Sequence, residues 1–137
     1  MIVMSSDSAV RDLLRRARVI AVVGYSDKPD RDSYRVGQYL RQAGYTVYPV
    51  NPAVSEIDGQ PSYATLADVP EPIDIVDVFR RSENLPEIVD AAIAVGAKAV
   101  WAQLGVSHEE AARTAAAAGL DVVQNRCIKI EHRRLLG

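Results

Sequence analysis

The sequence predicts a single α/β domain in which helices cover both faces of a parallel sheet. Segments with helical periodicity alternate with short apolar segments along most of the chain. The apolar segments are β-branched and continuous, which indicates strands that are buried on both faces. A chain of 137 residues fits one domain, covering residues 1–137. Right-handed crossovers between parallel strands then favour a doubly wound arrangement.

Two helices and two strands are predicted in the first half of the chain. Apolar residues recur at helical spacing in both helices, and the strands are short β-branched runs. Glycine ends the second helix, and the prolines on both sides of Asn51 end the second strand. The predicted elements are a helix over about Ser8–Arg16, strand Val19–Val23, a helix from Asp32 or Ser33 to Gly44, strand Thr46–Tyr48, and a segment around Ser62 and Tyr63 that allows a very short strand.

Three strands and three helices are predicted in the second half. Pro70 and Pro72 precede the first of these strands. Ser107 and Glu110 have the spacing of a capping box, which predicts a helix that Gly119 ends. The predicted elements are strand Ile73–Phe79, a helix from about Leu85 to Gly96, strand Ala99–Trp101, a helix between Ser107 and Gly119, strand Asp121–Val123, and a short helix over Ile128–Leu136.

The composition argues against several classes of partner. A formal net charge of −2 is unfavourable for general nucleic-acid binding, because phosphate contacts need a concentrated basic face. The N-terminal apolar run is too short for a membrane span, and a signal peptide is not expected. The single cysteine, Cys127, cannot form an internal disulfide, which favours the cytoplasm. We therefore expect a small-molecule ligand, and a homo-oligomer stays open.

The segment from Gly24 to Tyr34 is the strongest functional feature of the sequence. It directly follows a buried strand and leads into a helix. Glycine lets the backbone turn tightly beside a ligand, and a helix start offers unpaired N–H groups to an anion. The segment therefore predicts a phosphate-binding corner. The dinucleotide motif G-x-G-x-x-G is absent, because Ser26 and Pro29 stand where its second and third glycines are expected.

The end of the second strand argues against NAD and NADP. An NAD site places an Asp or Glu there for the adenine ribose, whereas this strand ends in Pro49-Val50-Asn51-Pro52. An NADP site needs an arginine nearby, and none occurs between Arg41 and Arg80. The two prolines stiffen the loop, which suits packing against a base.

Polar donors follow several of the predicted strands. In a parallel sheet these positions meet at the carboxyl edge, where ligands bind near the point of strand-order reversal. Within residues 24–35 the acidic residues balance the charge of the cations. Net attraction for an anion is therefore weak, and an anion there must be held by directed hydrogen bonds. Trp101 is predicted to border this crevice. The donors are Ser26, Lys28, Arg31, Ser33, Asn51, Arg80 and Gln103.

No catalytic or metal-binding constellation is evident. His108 lies in a capping box and His132 in a charged tail, and one cysteine with two distant histidines falls short of a zinc site. Cys127 follows a core strand, where a small buried hydrophobe is usual. Asp74 and Asp77 are predicted to point to opposite faces of their strand, so they form no carboxylate pair. We expect a binding protein rather than an enzyme.

Several motifs, in this order, resemble the small single-domain CoA-binding proteins, which are similar to the CoA-binding N-terminal domain of the succinyl-CoA synthetase α-subunit. The resemblance extends from about Ala17 to Leu135. The motifs are Gly24-Tyr25-Ser26 with Pro29 and Arg31, Gly44-Tyr45-x-Val47-x-Pro49-Val50-Asn51-Pro52, Val76-Asp77-Val78-Phe79-Arg80, Gly96-Ala97-Lys98, Trp101-x-Gln103 and Arg126-Cys127.

The resemblance implies a three-layer Rossmann-like fold with strand order 3-2-1-4-5-6 that binds coenzyme A. In one departure from the family, Asn125 stands where its pattern often has Asp. By position, the phosphate corner comprises Gly24, Tyr25, Ser26, Lys28, Arg31, Ser33 and Tyr34; the ADP end is lined by Asn51 and Pro52; Val78, Phe79 and Arg80 lie along the cofactor; and Gln103 lies toward the pantetheine.

The leading hypothesis is therefore binding of coenzyme A or an acyl-CoA without catalysis. One alternative is an enzyme that acts on a CoA thioester or nucleotide, with Cys127 or a partner chain supplying the chemistry. Another is a regulatory or assembly protein whose ligand stabilises an interface. Turnover of acyl-CoA distinguishes the first alternative, and ligand-dependent oligomer mass distinguishes the second.

Overall fold

A computed structural model describes residues 6–137, so the first five residues of the predicted domain lie outside the described residues. No described helix is long and apolar enough to cross a membrane. The strands are β1 (Val19–Val23), β2 (Thr46–Val50), β3 (Glu56–Ile57), β4 (Gln60–Pro61), β5 (Ile75–Val78), β6 (Ala99–Ala102) and β7 (Asp121–Val123). The α-helices are α1 (Asp7–Arg16), α2 (Asp32–Gln42), α3 (Leu85–Ala94), α4 (Glu109–Ala117) and α5 (Ile128–Leu135).

Five of these strands form a parallel sheet in the order β2-β1-β5-β6-β7, while β3 and β4 form a small antiparallel hairpin. The expected third strand of the sheet is reduced to one bridge at Tyr63. The Tyr63 N–H donates to Pro49 O (2.9 Å), and its carbonyl accepts from Asn51 N (2.8 Å). Pairing ends there because Thr65 and Asp68 close a 3₁₀ turn. The doubly wound Rossmann-like fold is confirmed, with five full strands in the part of the sheet that residues 6–137 form.

Helices cover the two faces of this sheet as separate layers. Helices α1, α2 and α5 pack together on one face, and α3 and α4 pack on the other. Strand β6 illustrates the division, since Trp101 lies in the first layer's core while Val100 and Ala102 lie in the second. Burial on both faces explains why the strands are continuously apolar.

Two helix starts differ from the sequence-based expectation. Helix α2 has Arg31 at its N-cap instead of Asp32 or Ser33. Helix α4 begins at Glu109 with His108 as its N-cap, and the His108 Nδ1 atom accepts from the Ala111 N–H (3.1 Å). The predicted capping box at Ser107 is therefore wrong by one residue, because histidine also offers an acceptor at this position.

Strand order reverses between β1 and β5, which are direct neighbours in the sheet. The loop after β1 leads to α2 on one face, whereas the loop after β5 leads to α3 on the other face. Loops that diverge in this way leave a crevice at the carboxyl edge of the sheet. This is the edge at which the sequence predicts the site.

Candidate functional site

Gly24 marks the point where the loops after β1 and β5 meet. Its φ of +89° lies in the region that favours glycine, and a Cβ atom there would lie 2.4 Å from the Phe79 carbonyl oxygen. The neighbouring backbone is held in place, since Phe79 N donates to Val23 O (2.8 Å) and Gly24 N donates to Val50 O (2.9 Å). The glycine is thus required by the close approach of two protein loops.

Two serines organise the loop that follows. The Ser33 hydroxyl oxygen accepts from the Ser26 N–H (2.9 Å), and the Ser26 hydroxyl oxygen accepts from the Lys28 N–H (3.1 Å). Ser33 is buried, whereas Ser26 is half-buried. Both hydroxyl oxygens therefore accept hydrogen bonds that hold the loop together, and Ser33 bonds the loop instead of capping helix α2.

The cations of this loop differ in whether they have partners. Arg35 pairs with Asp32 (2.6 Å) and donates to Asp30 O (2.8 Å). The exposed side chains of Lys28 and Arg31 make no ion pair or hydrogen bond with the described residues. Arg31 stands at the N-cap of α2, where its side chain makes no capping bond. The described helix start therefore combines an open first turn with two unpaired cations.

The two tyrosines of the predicted corner have structural roles. Tyr25 is fully buried beneath α2, where a Cβ atom on Gly37 would lie 2.2 Å from its ring. Burial raises the pKa of the Tyr25 phenol, whose oxygen accepts from Arg41 (3.3 Å). The Tyr34 hydroxyl donates to Asp58 (2.5 Å) in the β3–β4 turn. The role of Gly37 was not predicted, because nothing in the local sequence indicates that the Tyr25 ring packs against it.

Asn51 connects the loops after β1 and β2. Its Nδ2 atom donates to Tyr25 O (2.8 Å), and its Oδ1 atom accepts from Ala53 N (2.9 Å). The side-chain amide is thus engaged at both ends, and it has no carboxylate with which to accept two ribose hydroxyls. This arrangement fits the sequence argument against an NAD site.

A first cavity of about 450 Å³ opens at the end of β2, on the α3 side of the sheet. It lies within the size range of small-molecule sites. Of the predicted residues, Pro52 and Arg80 line it, and Arg80 has no ion pair among the described residues. The whole lining comprises Val23, Val50, Pro52, Ala64, Thr65, Leu66, Arg80, Asn84, Glu87, Ile88 and Ala91.

A second cavity of about 500 Å³ lies on the opposite face, between the start of α2 and helix α5. Of the predicted residues, Phe79 and Gln103 line it. The whole lining comprises Asp32, Arg35, Val36, Phe79, Gln103, Leu104, Val106, Cys127, Lys129, Ile130 and Arg133. The loop after β1 runs from Val23, at the first cavity, to Asp32, at the second.

Three predicted residues near these cavities belong to the protein interior. Val78 is fully buried in the core and lines neither cavity. Gln103 is buried, and its Oε1 atom accepts from the Ile128 N–H (3.1 Å) at the start of α5. Trp101 is also fully buried, and its Nε1 donates to Arg126 O (2.8 Å). The indole thus lies in the core and lines neither cavity.

The structure brings Lys28, Arg31, Pro52, Phe79 and Arg80 to one edge of the sheet. Sequence reasoning missed residues 64–66, the first two turns of α3 and most of α5. These segments carry no phosphate-binding motif and reach the cavities only through the fold. The very short strand predicted around Tyr63 could have indicated residues 64–66, because the chain continues from Tyr63 directly into the wall of the first cavity.

Comparison with known proteins places these features in a family. A family model described as a CoA binding domain matches residues 18–133. The uncharacterized protein YneT of Bacillus subtilis is 41% identical over 127 residues, which cover 93% of this chain and 94% of that protein. The structure of a hypothetical protein from Pyrococcus horikoshii has a TM-score of 0.94 and 44% identity, covering 97% of this chain and 94% of that chain.

The same domain also occurs within larger proteins. An acetyl-coenzyme A synthetase from Ca. Korarchaeum cryptofilum matches 81% of this chain with a TM-score of 0.69 and 28% identity. The match covers only 27% of the synthetase chain, so most of that enzyme has no counterpart here. The resemblance predicted from the sequence is confirmed, and this chain belongs to the CoA-binding domain family.

Proposed function

We propose that this protein binds coenzyme A or an acyl-CoA across the carboxyl edge of its sheet, between β1 and β5, without catalysis of its own. The observation that carries the proposal is the set of three cations at this edge, Lys28, Arg31 and Arg80, which lack ion pairs among the described residues. Cations left unpaired beside an open helix start suit the phosphates of coenzyme A.

The residues present fit the nucleotide end of the ligand. In doubly wound folds the adenosine lies at the end of the second strand, and the first cavity opens there beside Pro52. The pyrophosphate would then meet Arg31 and the first turn of α2. Arg31 can form two parallel bonds to one phosphate, whereas Lys28 acts as a point charge. Arg80, on the rim of the first cavity, is a second arginine for the phosphate groups.

Both histidines are engaged in the fold. His132 Nδ1 bonds the Tyr39 hydroxyl (2.8 Å), and His108 caps α4. Cys127 is half-buried at the N-cap of α5, and no histidine lines its cavity. These contacts support a binding role, in which any chemistry on the acyl group comes from another protein in the cytoplasm.

The test is a comparison of melting temperatures with coenzyme A and with NAD. A ligand at a hundred times its dissociation constant adds about 2.7 kcal/mol of stability, so binding produces a measurable shift. We expect a shift with coenzyme A and none with NAD at the same concentration, because Asn51 offers no carboxylate to the ribose. Equal shifts from both ligands, or no shift from coenzyme A, would contradict the proposal.

A further inference from the structure

The second cavity carries an exposed apolar surface that a nucleotide does not require. Among the described residues, the large hydrophobic side chains that are mainly exposed are Leu104 (60%) and Ile130 (52%). Both line the second cavity, together with Phe79 and Val106. Single exposed hydrophobic residues are ordinary, whereas these two line one cavity and face it together with two further apolar residues.

The rim of the same cavity is positively charged. Lys129 and Arg133 lie one turn apart on α5, and both stack over the Tyr39 ring at 5.7 Å. Neither forms an ion pair with a described residue, whereas Arg35 is paired with Asp32. The lining thus contains three cations and one carboxylate, and the two cations on α5 are not neutralised.

We propose that the second cavity holds the acyl group of an acyl-CoA and prefers an acyl chain that ends in a carboxylate. This inference rests on the proposed function. If the nucleotide end occupies the first cavity and the phosphates meet the start of α2, the thioester end points toward the second cavity, which Asp32 of α2 also lines. Leu104 and Ile130 then contact the methylene groups, and Lys129 and Arg133 bind the terminal carboxylate.

A competing use of the same cations is attraction of the phosphates of coenzyme A. The two uses differ in what the charge recognises. If Lys129 and Arg133 hold phosphates, their loss weakens coenzyme A and every acyl-CoA equally. If they hold the acyl terminus, their loss affects only ligands that carry a carboxylate there. A matched pair of acyl chains therefore separates the two.

The experiment is calorimetric titration with coenzyme A, pentanoyl-CoA and glutaryl-CoA, since the last two differ in a terminal methyl against a carboxylate. We expect glutaryl-CoA to bind at least tenfold more tightly than pentanoyl-CoA. In the variant Lys129→Gln with Arg133→Gln the ratio should fall to near one, while the affinity for coenzyme A stays within twofold. The charge-conserving variant Lys129→Arg with Arg133→Lys should keep the preference.

Arg15→Gln is the matched control, because Arg15 is an exposed arginine near the opposite edge of the sheet and lines a different cavity. It should leave all three affinities unchanged. Equal binding of glutaryl-CoA and pentanoyl-CoA by the unmodified protein would overturn the inference while leaving the proposed function intact. An equal loss for all three ligands in the double glutamine variant would assign the cations to the phosphates. No binding of coenzyme A or either acyl-CoA would overturn both proposals.

Discussion

Two aspartates at the amino edge of the sheet have charged partners, whereas three cations at the carboxyl edge have none within residues 6–137. At the amino edge, Asp74 accepts from the N–H groups of Arg18 (2.8 Å) and Val19 (2.9 Å) and lies 3.9 Å from Lys98. Asp121, at the start of β7, pairs with Arg16 of α1. At the carboxyl edge, Lys28, Arg31 and Arg80 have no such partners among the described residues.

This difference shows where the fold completes its own interactions and where it leaves them open. Pairing at the amino edge ties the ends of strands to neighbouring segments, so those charges serve stability. Lys28, Arg31 and Arg80 gain no comparable contact from folding among the described residues, although Arg35 at the same edge is paired with Asp32. Proteins accept such local departures mainly at functional sites, where a ligand supplies the missing partner.

The largest expected effect is on the free energy of unfolding, when one glycine at each edge is replaced by alanine. Gly24 and Gly44 both have positive φ, but a Cβ atom on Gly24 would lie 2.4 Å from Phe79 O, whereas no atom of the described residues lies within 4 Å of one on Gly44. We expect Gly24→Ala to lower the free energy of unfolding by about 3–5 kcal/mol, because backbone strain and overpacking add. Gly44→Ala should cost only about 1–2 kcal/mol, from strain alone.

Urea denaturation of both variants measures these costs. Equal losses would mean that the loop after β1 moves away from β5 easily. The close approach of the two loops would then not hold the corner in place, contrary to our interpretation of the Gly24 contact.

A smaller effect is expected from the arginines of the two edges. Arg31→Ala should weaken binding of coenzyme A by about 1.5–3 kcal/mol, the usual loss for a hydrogen bond to a charged group. Arg15→Ala, at an exposed arginine near the amino edge, should leave binding unchanged. Calorimetry on both variants, after melting temperatures have shown that each is folded, makes the comparison. Equal small losses would mean that attraction at the carboxyl edge is diffuse rather than directed.

Much of the fold could be predicted from local features of the sequence. The continuous β-branched segments identified all five strands of the described sheet, and Gly24 was correctly placed at the carboxyl end of a buried strand. These features act within a few residues, so a single sequence reveals them. The third strand of the expected order is not a full strand. The structure has one bridge at Tyr63, because the turn that Thr65 and Asp68 form ends the pairing.

The roles of individual side chains were harder to predict. Ser33, Asn51 and Gln103 were expected to be ligand donors, but the fold uses their side chains to hold Ser26, Tyr25 and the start of α5. Each of these bonds joins segments whose relative position depends on tertiary packing. Polar residue type therefore did not separate side chains that hold loops together from side chains that have no partner among the described residues.

Two aspartates, one just before strand β5 and one within it, differ in whether their carboxylates have partners. Asp74, just before the strand, has partners for its carboxylate, whereas Asp77, near the carboxyl end, is fully buried with no hydrogen-bond partner for either oxygen among the described residues. Burial raises the pKa of Asp77 well above its usual value. The two aspartates therefore lie in separate environments.

The final prediction concerns these two aspartates and the dependence of stability on pH. Because the folded-state pKa of Asp77 is raised, its contribution to stability is complete below the unfolded pKa of about 3.9 and is lost as pH rises through the raised value. Asp77→Asn stays neutral, so this loss should disappear, and the variant should gain on the unmodified protein as pH increases. Asp74→Asn should instead cost about 1 kcal/mol at neutral pH, since it weakens charge-assisted bonds. Urea denaturation from pH 5 to 8 measures both, and a constant stability difference between Asp77→Asn and the unmodified protein would show that Asp77 does not titrate with folding in this range.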